Sequence, residues 1–228
     1  MDSSSITDAC MNNDLYKVQQ FVEDSADVLL MRDDDGRVPL HWAVSFQNEE
    51  IALYLLSHME TVDIDELKDK AGWTPFHIAC AVGNMNIVIE LCNRRLKPDM
   101  NLSTVQGITA LHLAVSKKHM EVCKFLVDNG ASVRIKDKKL QIPLHRAAAA
   151  GSMGLIELLC KAQSPINVQD YQGWTPLFHA LAEGHGDVAV LLVNQYYADD
   201  QLEDHDGKKA LDVALDDKVR KHYIQNIL

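Results

Sequence analysis

Ten histidines and five cysteines are the side chains of this 228-residue chain that could hold a metal or start a reaction. Zinc needs thiolates or imidazoles at short fixed spacings, and covalent catalysis needs a nucleophile beside a base. Cys10, Cys80, Cys92, Cys123 and Cys160 contain no CxxC, and their odd number gives no disulfide framework. They read as reduced, small hydrophobes. His41, His77, His112 and His145 follow one another at steps of 36, 35 and 33 residues, which is the spacing of a structural repeat rather than of a ligand set. Each is expected to hydrogen-bond near the hairpin and first helix of its own repeat. His119, His179, His185, His205 and His222 stand alone, without an HxxxH. No GxSxG elbow, GxxxxGK[ST] loop or GxGxxG turn occurs, and GHGD (184–187) reads as a turn between two helices. The run Asp33-Asp34-Asp35 lacks the rest of a calcium loop and reads as a solvated hairpin tip. The expectation is a protein without catalytic residues, metal or cofactor.

Composition supports a folded, protein-binding chain. With 47% hydrophobic and 24% charged residues it buries enough apolar surface to offset its ordering entropy. A net charge of -11 argues against nucleic acid and anionic membranes as partners. No apolar run is long enough to span a bilayer, and MDSSSITDAC has no secretory pattern, so the expected location is intracellular.

The elements that must position any site are repeats. DDDGRVPLHWA (33–43) returns as DKAGWTPFHIA (69–79), TVQGITALHLA (104–114), DKKLQIPLHRA (137–147), DYQGWTPLFHA (170–180) and the degraded DHDGKKALDVA (204–214). The position held by Gly36 recurs at 72, 107, 140, 173 and 207, a period near the 33 residues of an ankyrin repeat. A further unit without a hairpin, including NNDLYKVQQFV (12–22), makes an N-terminal cap. The fold class is therefore an all-α ankyrin-repeat solenoid with hairpin loops and terminal caps. It is read as a single domain (1–228) of seven units at 1–32, 33–68, 69–103, 104–136, 137–169, 170–203 and 204–228. Thr74-Pro75 and Thr175-Pro176 start helices, the threonine capping an orphan N–H and the proline supplying the first helical φ. The turn position needs φ above zero, and Leu140 occupies it against the rule. Apolar stripes at helical spacing mark the second helices: Ile51, Leu55 and Leu56; Ile87, Val88 and Leu91; Val122, Phe125 and Leu126; Leu155, Leu158 and Leu159; Val188, Leu191 and Leu192. The two long steps place extra residues in loops at 58–72 and 93–107.

In such an array the hairpin tips and first helices line a concave face on which sequence can vary at little cost. That reading selects Asp34, Asp35, Arg37, Phe46, Lys70, Trp73, Ile108, Lys117, Lys118, Lys138, Tyr171, Trp174 and Glu183 as partner-binding residues. Val82, Val105, Lys139, Gln141, His205, Asp206 and Lys208 lie at similar places. Trp73 and Trp174 hold the variable position after the turn glycine. They read as exposed interface anchors, with local packing on the next hairpin as the alternative. By unit, the net charges are -4, -7, +1, +3, +2, -6 and 0, a basic centre between acidic zones that would hold a complementary partner in one register.

The order of units and the segments RVPLHWA (37–43), GWTPFHIA (72–79), AVSKKHMEV (114–122) and HRAAAAG (145–151) resemble the gankyrin family, its fungal members most of all. The resemblance covers essentially the whole chain. It implies a chaperone for assembly of the 19S regulatory particle of the 26S proteasome, present in cytoplasm and nucleus. It further implies a monomer that pairs with the C-terminal domain of one AAA-ATPase subunit, the third of the base ring. Two basic residues that face acids of that subunit correspond to Arg37 and Lys117. The family's LxCxE stretch is replaced by His179, Ala180, Leu181, Ala182 and Glu183, which puts retinoblastoma-type binding in doubt. An ankyrin-type inhibitor or scaffold of a transcription factor or kinase is the alternative.

Overall fold

A computed structural model describes residues 5–227. Its contacts divide into two compact units, one ending at Gln106 and one beginning at Gly107. Among the described residues the regular structure is helical apart from isolated β-bridge residues at the hairpins, Glu203 pairing with Lys209 among them. The loops between repeats still turn as hairpins. Asp33 N–H donates to the Arg37 carbonyl at 2.9 Å and Asp170 N–H to that of Trp174 at 2.9 Å.

The first unit opens with the cap helices α1 (Ile6–Met11) and α2 (Leu15–Asp24), followed by the pairs α3 (Pro39–Ser45) and α4 (Glu49–Ser57), and α5 (Pro75–Val82) and α6 (Met85–Asn93). The second holds α7 (Ala110–Ser116) and α8 (Met120–Asp128), α9 (Pro143–Ala149) and α10 (Met153–Lys161), α11 (Pro176–Ala182) and α12 (Gly186–Tyr196), and the terminal α13 (Asp217–Asn226). In the last repeat the first helix shrinks to a 3-10 turn, Ala210–Val213, with Leu211 and Val213 only half-buried. Little apolar burial is left there to support a full helix. The long loop after α4 keeps the flanking helices whole. It tucks Ile64 and Leu67 into the core, and Arg94 donates to the carbonyls of Leu56, Met59 and Val62.

Most of the apolar stripe is buried as the sequence predicts, but three equivalent members, Phe125, Leu158 and Leu191, are half-buried. Cys123, Ile156 and Ala189 take the fully buried places in their helices. The turn position behaves as its geometry demands. A Cβ on Gly72, at φ +80°, would come within 2.7 Å of the Val105 nitrogen. Leu140 adopts the same left-handed conformation at φ +61° without being glycine, and its side chain is 43% exposed. No helix of the described residues is long and apolar enough to cross a membrane.

Candidate protein-binding surface

The repeat histidines are structural, and they reach further than their own repeat. In each, Nδ1 accepts the backbone N–H three residues earlier, from Val38, Thr74, Thr109 and Ile142 at 3.1–3.3 Å. A nitrogen that accepts carries no proton, so Nε2 must donate. It donates onward to carbonyls of Trp73 (from His41), Leu102 (from His77), Gln141 (from His112) and Val168 (from His145) at 3.0–3.2 Å. Burial lowers the pKa of all four, to about 4 for His112 and His145. The fifth copy, 170–180, departs from this scheme. Phe178 holds the histidine's place, and the buried hydroxyl of Thr175 has no hydrogen-bond partner. The cap expected of Thr175 is thus unmade, whereas Thr74 and Thr109 each bond the Nδ1 of their histidine.

Aspartates organise the hairpins. One carboxylate oxygen of Asp33, Asp69, Asp137, Asp170 and Asp204 accepts the backbone N–H groups two and four residues on, for Asp69 those of Ala71 and Trp73 at 2.9 and 2.8 Å. The other oxygen takes a side-chain donor from one of two places. The residue after the turn position of the preceding repeat supplies it for Asp69 (Arg37 Nε, 3.1 Å), Asp170 (Gln141, 2.9 Å) and Asp204 (Trp174 Nε1, 3.1 Å). A residue on the first helix of the same repeat supplies it for Asp33 (Trp42 Nε1, 2.7 Å), Asp137 (Arg146, 2.6 Å) and, jointly, Asp170 (His179, 2.9 Å). Burial alone would raise the Asp170 pKa, yet the bonds from His179, Gln141 and the hairpin N–H groups hold it well below the usual carboxylate range.

This network revises the reading of the position after the turn. Trp174 is half-buried, spends its indole N–H on Asp204 and stacks on Phe178 at 5.9 Å. It is packed on the next hairpin rather than displayed. Trp73 is also half-buried, its ring 6.5 Å from His77. Arg37 is fixed by Asp69 and lies 4.9 Å over the Trp42 ring, with a quarter of its side chain exposed. Ile108 is half-buried. The other nine predicted residues, Asp34, Asp35, Phe46, Lys70, Lys117, Lys118, Lys138, Tyr171 and Glu183, are exposed, Tyr171 at 73%. In the second unit Lys138 and Tyr171 line one groove of about 370 Å³ together with Lys139, Gln141, Asp170 and Gln172. Trp42 and Arg146 were not selected from the sequence, although each sits nine residues after a hairpin aspartate.

Among the described residues no three His, Cys, Asp or Glu side chains are grouped to hold a metal ion. The cysteines are unbridged, and burial pushes the thiols of Cys10, Cys123 and Cys160 up to about 12, far from thiolate reactivity.

Repeated helix pairs, hairpins closed by aspartate and a histidine bonded forward define an ankyrin-repeat protein, and models of ankyrin repeats match residues 6–56, 58–137 and 132–204. The chain is 58% identical over 228 residues, the whole of both proteins, to the "Probable 26S proteasome regulatory subunit p28" of Saccharomyces cerevisiae. It is 37% identical over 211 residues to "Ankyrin repeat-containing protein C6C3.08" of Schizosaccharomyces pombe, covering 91% of this chain and 88% of that one. The ankyrin repeat domain of Bcl-3 shares the fold, with a TM-score of 0.75 at 23% identity over 97% of this chain and 98% of that one. The chain belongs to the gankyrin family of ankyrin-repeat proteins.

Proposed function

We propose that the protein is a non-enzymatic chaperone for assembly of the 26S proteasome regulatory particle. It binds the C-terminal domain of the third ATPase subunit of the base and acts by occupancy. While one folded domain is held, other contacts of that domain are excluded sterically, and no covalent step is needed. The observation that carries this reading is the full-length, 58% identity to a protein named as a 26S proteasome regulatory subunit.

The surface fits such a role. Residues 1–106 carry 8 basic and 18 acidic side chains, and residues 107–228 carry 14 and 15. Lys117, Lys118, Lys138 and Lys139 are exposed in the second unit, where acidic groups of a partner would find them. Arg37 presents a guanidinium fork already oriented by Asp69, so less side-chain entropy is lost on binding. The pair forms from two monomers, in cytoplasm and nucleus. Isothermal calorimetry of the full chain with the ATPase C-terminal domain tests the assignment. Saturable one-to-one binding, weakened by roughly 2 to 5 kcal/mol in Lys117→Glu, is the expected result. Absence of binding by the folded protein would reject it and favour a transcription factor or kinase as the target.

A further inference from the structure

We propose that Arg146 is a further partner-binding residue, a guanidinium held ready for a carboxylate of the protein partner; this rests on the function proposed above. On α9 its Nη2 donates to Asp137 at 2.6 Å and its Nη1 to Ser116 Oγ at 3.2 Å. Asp137 is 3% exposed and itself fixed by the hairpin N–H groups of Lys139 and Gln141. Ser116 is in turn bonded to the His112 carbonyl at 2.8 Å. The fork is thus clamped from both sides, with a fifth of the side chain left exposed. That matches Arg37, which is clamped by Asp69 with a quarter exposed. The clamp places Arg146 beside two exposed basic stretches, since Ser116 precedes Lys117 and Lys118, and Asp137 precedes Lys138 and Lys139.

Packing does not call for arginine here. The equivalent residues of two other repeats are the buried, aliphatic Ile78 and Leu113. Satisfying Asp137 calls for a donor but not for arginine, because at the equivalent position Trp42 serves Asp33 and His179 serves Asp170. Arginine moreover leaves its Nε buried without a hydrogen-bond partner, a cost that a neutral donor at this position would not carry. What arginine adds over those alternatives is a positive, planar fork, the group that recognises carboxylates in two-point fashion. Lys117 and Lys118 supply charge without direction, and Arg146 supplies direction.

Arg146→Gln removes the charge while keeping a donor for Asp137, and Arg146→Lys keeps the charge while removing the fork. Both are titrated with the ATPase C-terminal domain after thermal melts establish that they fold. Affinity is expected to fall about tenfold or more for the glutamine variant, with the lysine variant between it and the wild type. Wild-type affinity should also drop more steeply with added salt than that of the glutamine variant, a readout that a merely structural role would not move. Unchanged affinity and an unchanged salt response in folded Arg146→Gln, while Lys117→Glu still weakens binding, would overturn this assignment alone. If the wild type does not bind the domain, the proposed function fails and this assignment falls with it. Should the glutamine variant not fold, the lysine variant decides: full affinity overturns the fork.

Discussion

Acid should loosen this protein well before its carboxylates protonate, because the repeat histidines are buried in the neutral form. His112 and His145 have pKa values lowered from the ordinary 6.5 to about 4 by burial, while their Nδ1 atoms accept backbone N–H groups and cannot also hold a proton. Unfolding frees each ring to titrate near 6.5, so the unfolded state binds more protons between about pH 6.5 and 4. Stability is therefore full above that window and is lost as the pH falls through it. For one such histidine the loss between pH 7 and pH 5 is about 2 kcal/mol, and for the pair about 4. That is a large share of the 5–15 kcal/mol typical of a folded domain. His41 and His77 are shifted the same way and add to it. Urea denaturation followed by circular dichroism at pH 7, 6 and 5 measures the loss. In His112→Gln, where an amide stands in for the ring and does not titrate, the decline over the same range should be shallower by about 2 kcal/mol. If wild type and variant lose stability in parallel between pH 7 and 5, His112 is not buried neutral and the forward hydrogen bond to Gln141 is wrongly assigned.

Other perturbations test individual joints of the structure. Leu140→Gly should raise stability by about 0.5–1 kcal/mol, because an exposed leucine at φ +61° pays a left-handed strain that glycine does not; a lower denaturation midpoint would show that the leucine packs usefully. Thr175→Val should be neutral or stabilise by about 1 kcal/mol, since it removes a buried hydroxyl without a partner. The matched Thr109→Val should cost about 1 kcal/mol by losing the bond to His112 Nδ1, and equal effects at the two sites would contradict the contrast. Lys117→Glu is expected to abolish most binding to the ATPase domain while leaving the melting temperature within a few degrees of wild type, because Lys117 is exposed at the end of α7.

The repeat architecture was legible because it is written in local chemistry. Pro39, Pro75, Pro143 and Pro176 do open helices, and Gly36, Gly72, Gly107, Gly173 and Gly207 do take φ above zero. The histidine role was legible in kind but not in reach, since the forward bond from His77 to Leu102 depends on how the long loop after α6 is laid down. The binding surface was harder to read. Trp174 looks like a displayed anchor in one dimension because its hydrogen-bond acceptor, Asp204, lies 30 residues away in the next hairpin. Arg146 is hard to read from residue type alone, because its position holds Trp42, Ile78, Leu113 and His179 in the other repeats and no single residue type recurs. The recurring aspartate three residues before the turn position, present in five of the six copies, was the available clue to both.

That aspartate also limits how this scaffold could be re-engineered. A library that randomises the residue after each turn, as is usual when new binders are selected from repeat proteins, would treat Arg37, Ile108, Gln141 and Trp174 as equivalent. They are not. Replacing Arg37 or Trp174 by an aliphatic residue leaves one oxygen of Asp69 or Asp204 without its side-chain donor, whereas Ile108 can vary because Arg146 already serves Asp137, and Gln141 can vary because His179 still serves Asp170. Diversity is thus safest where the aspartate has a second provider, and a selection from this chain should recover non-donor side chains at 108 and 141 far more often than at 37 and 174.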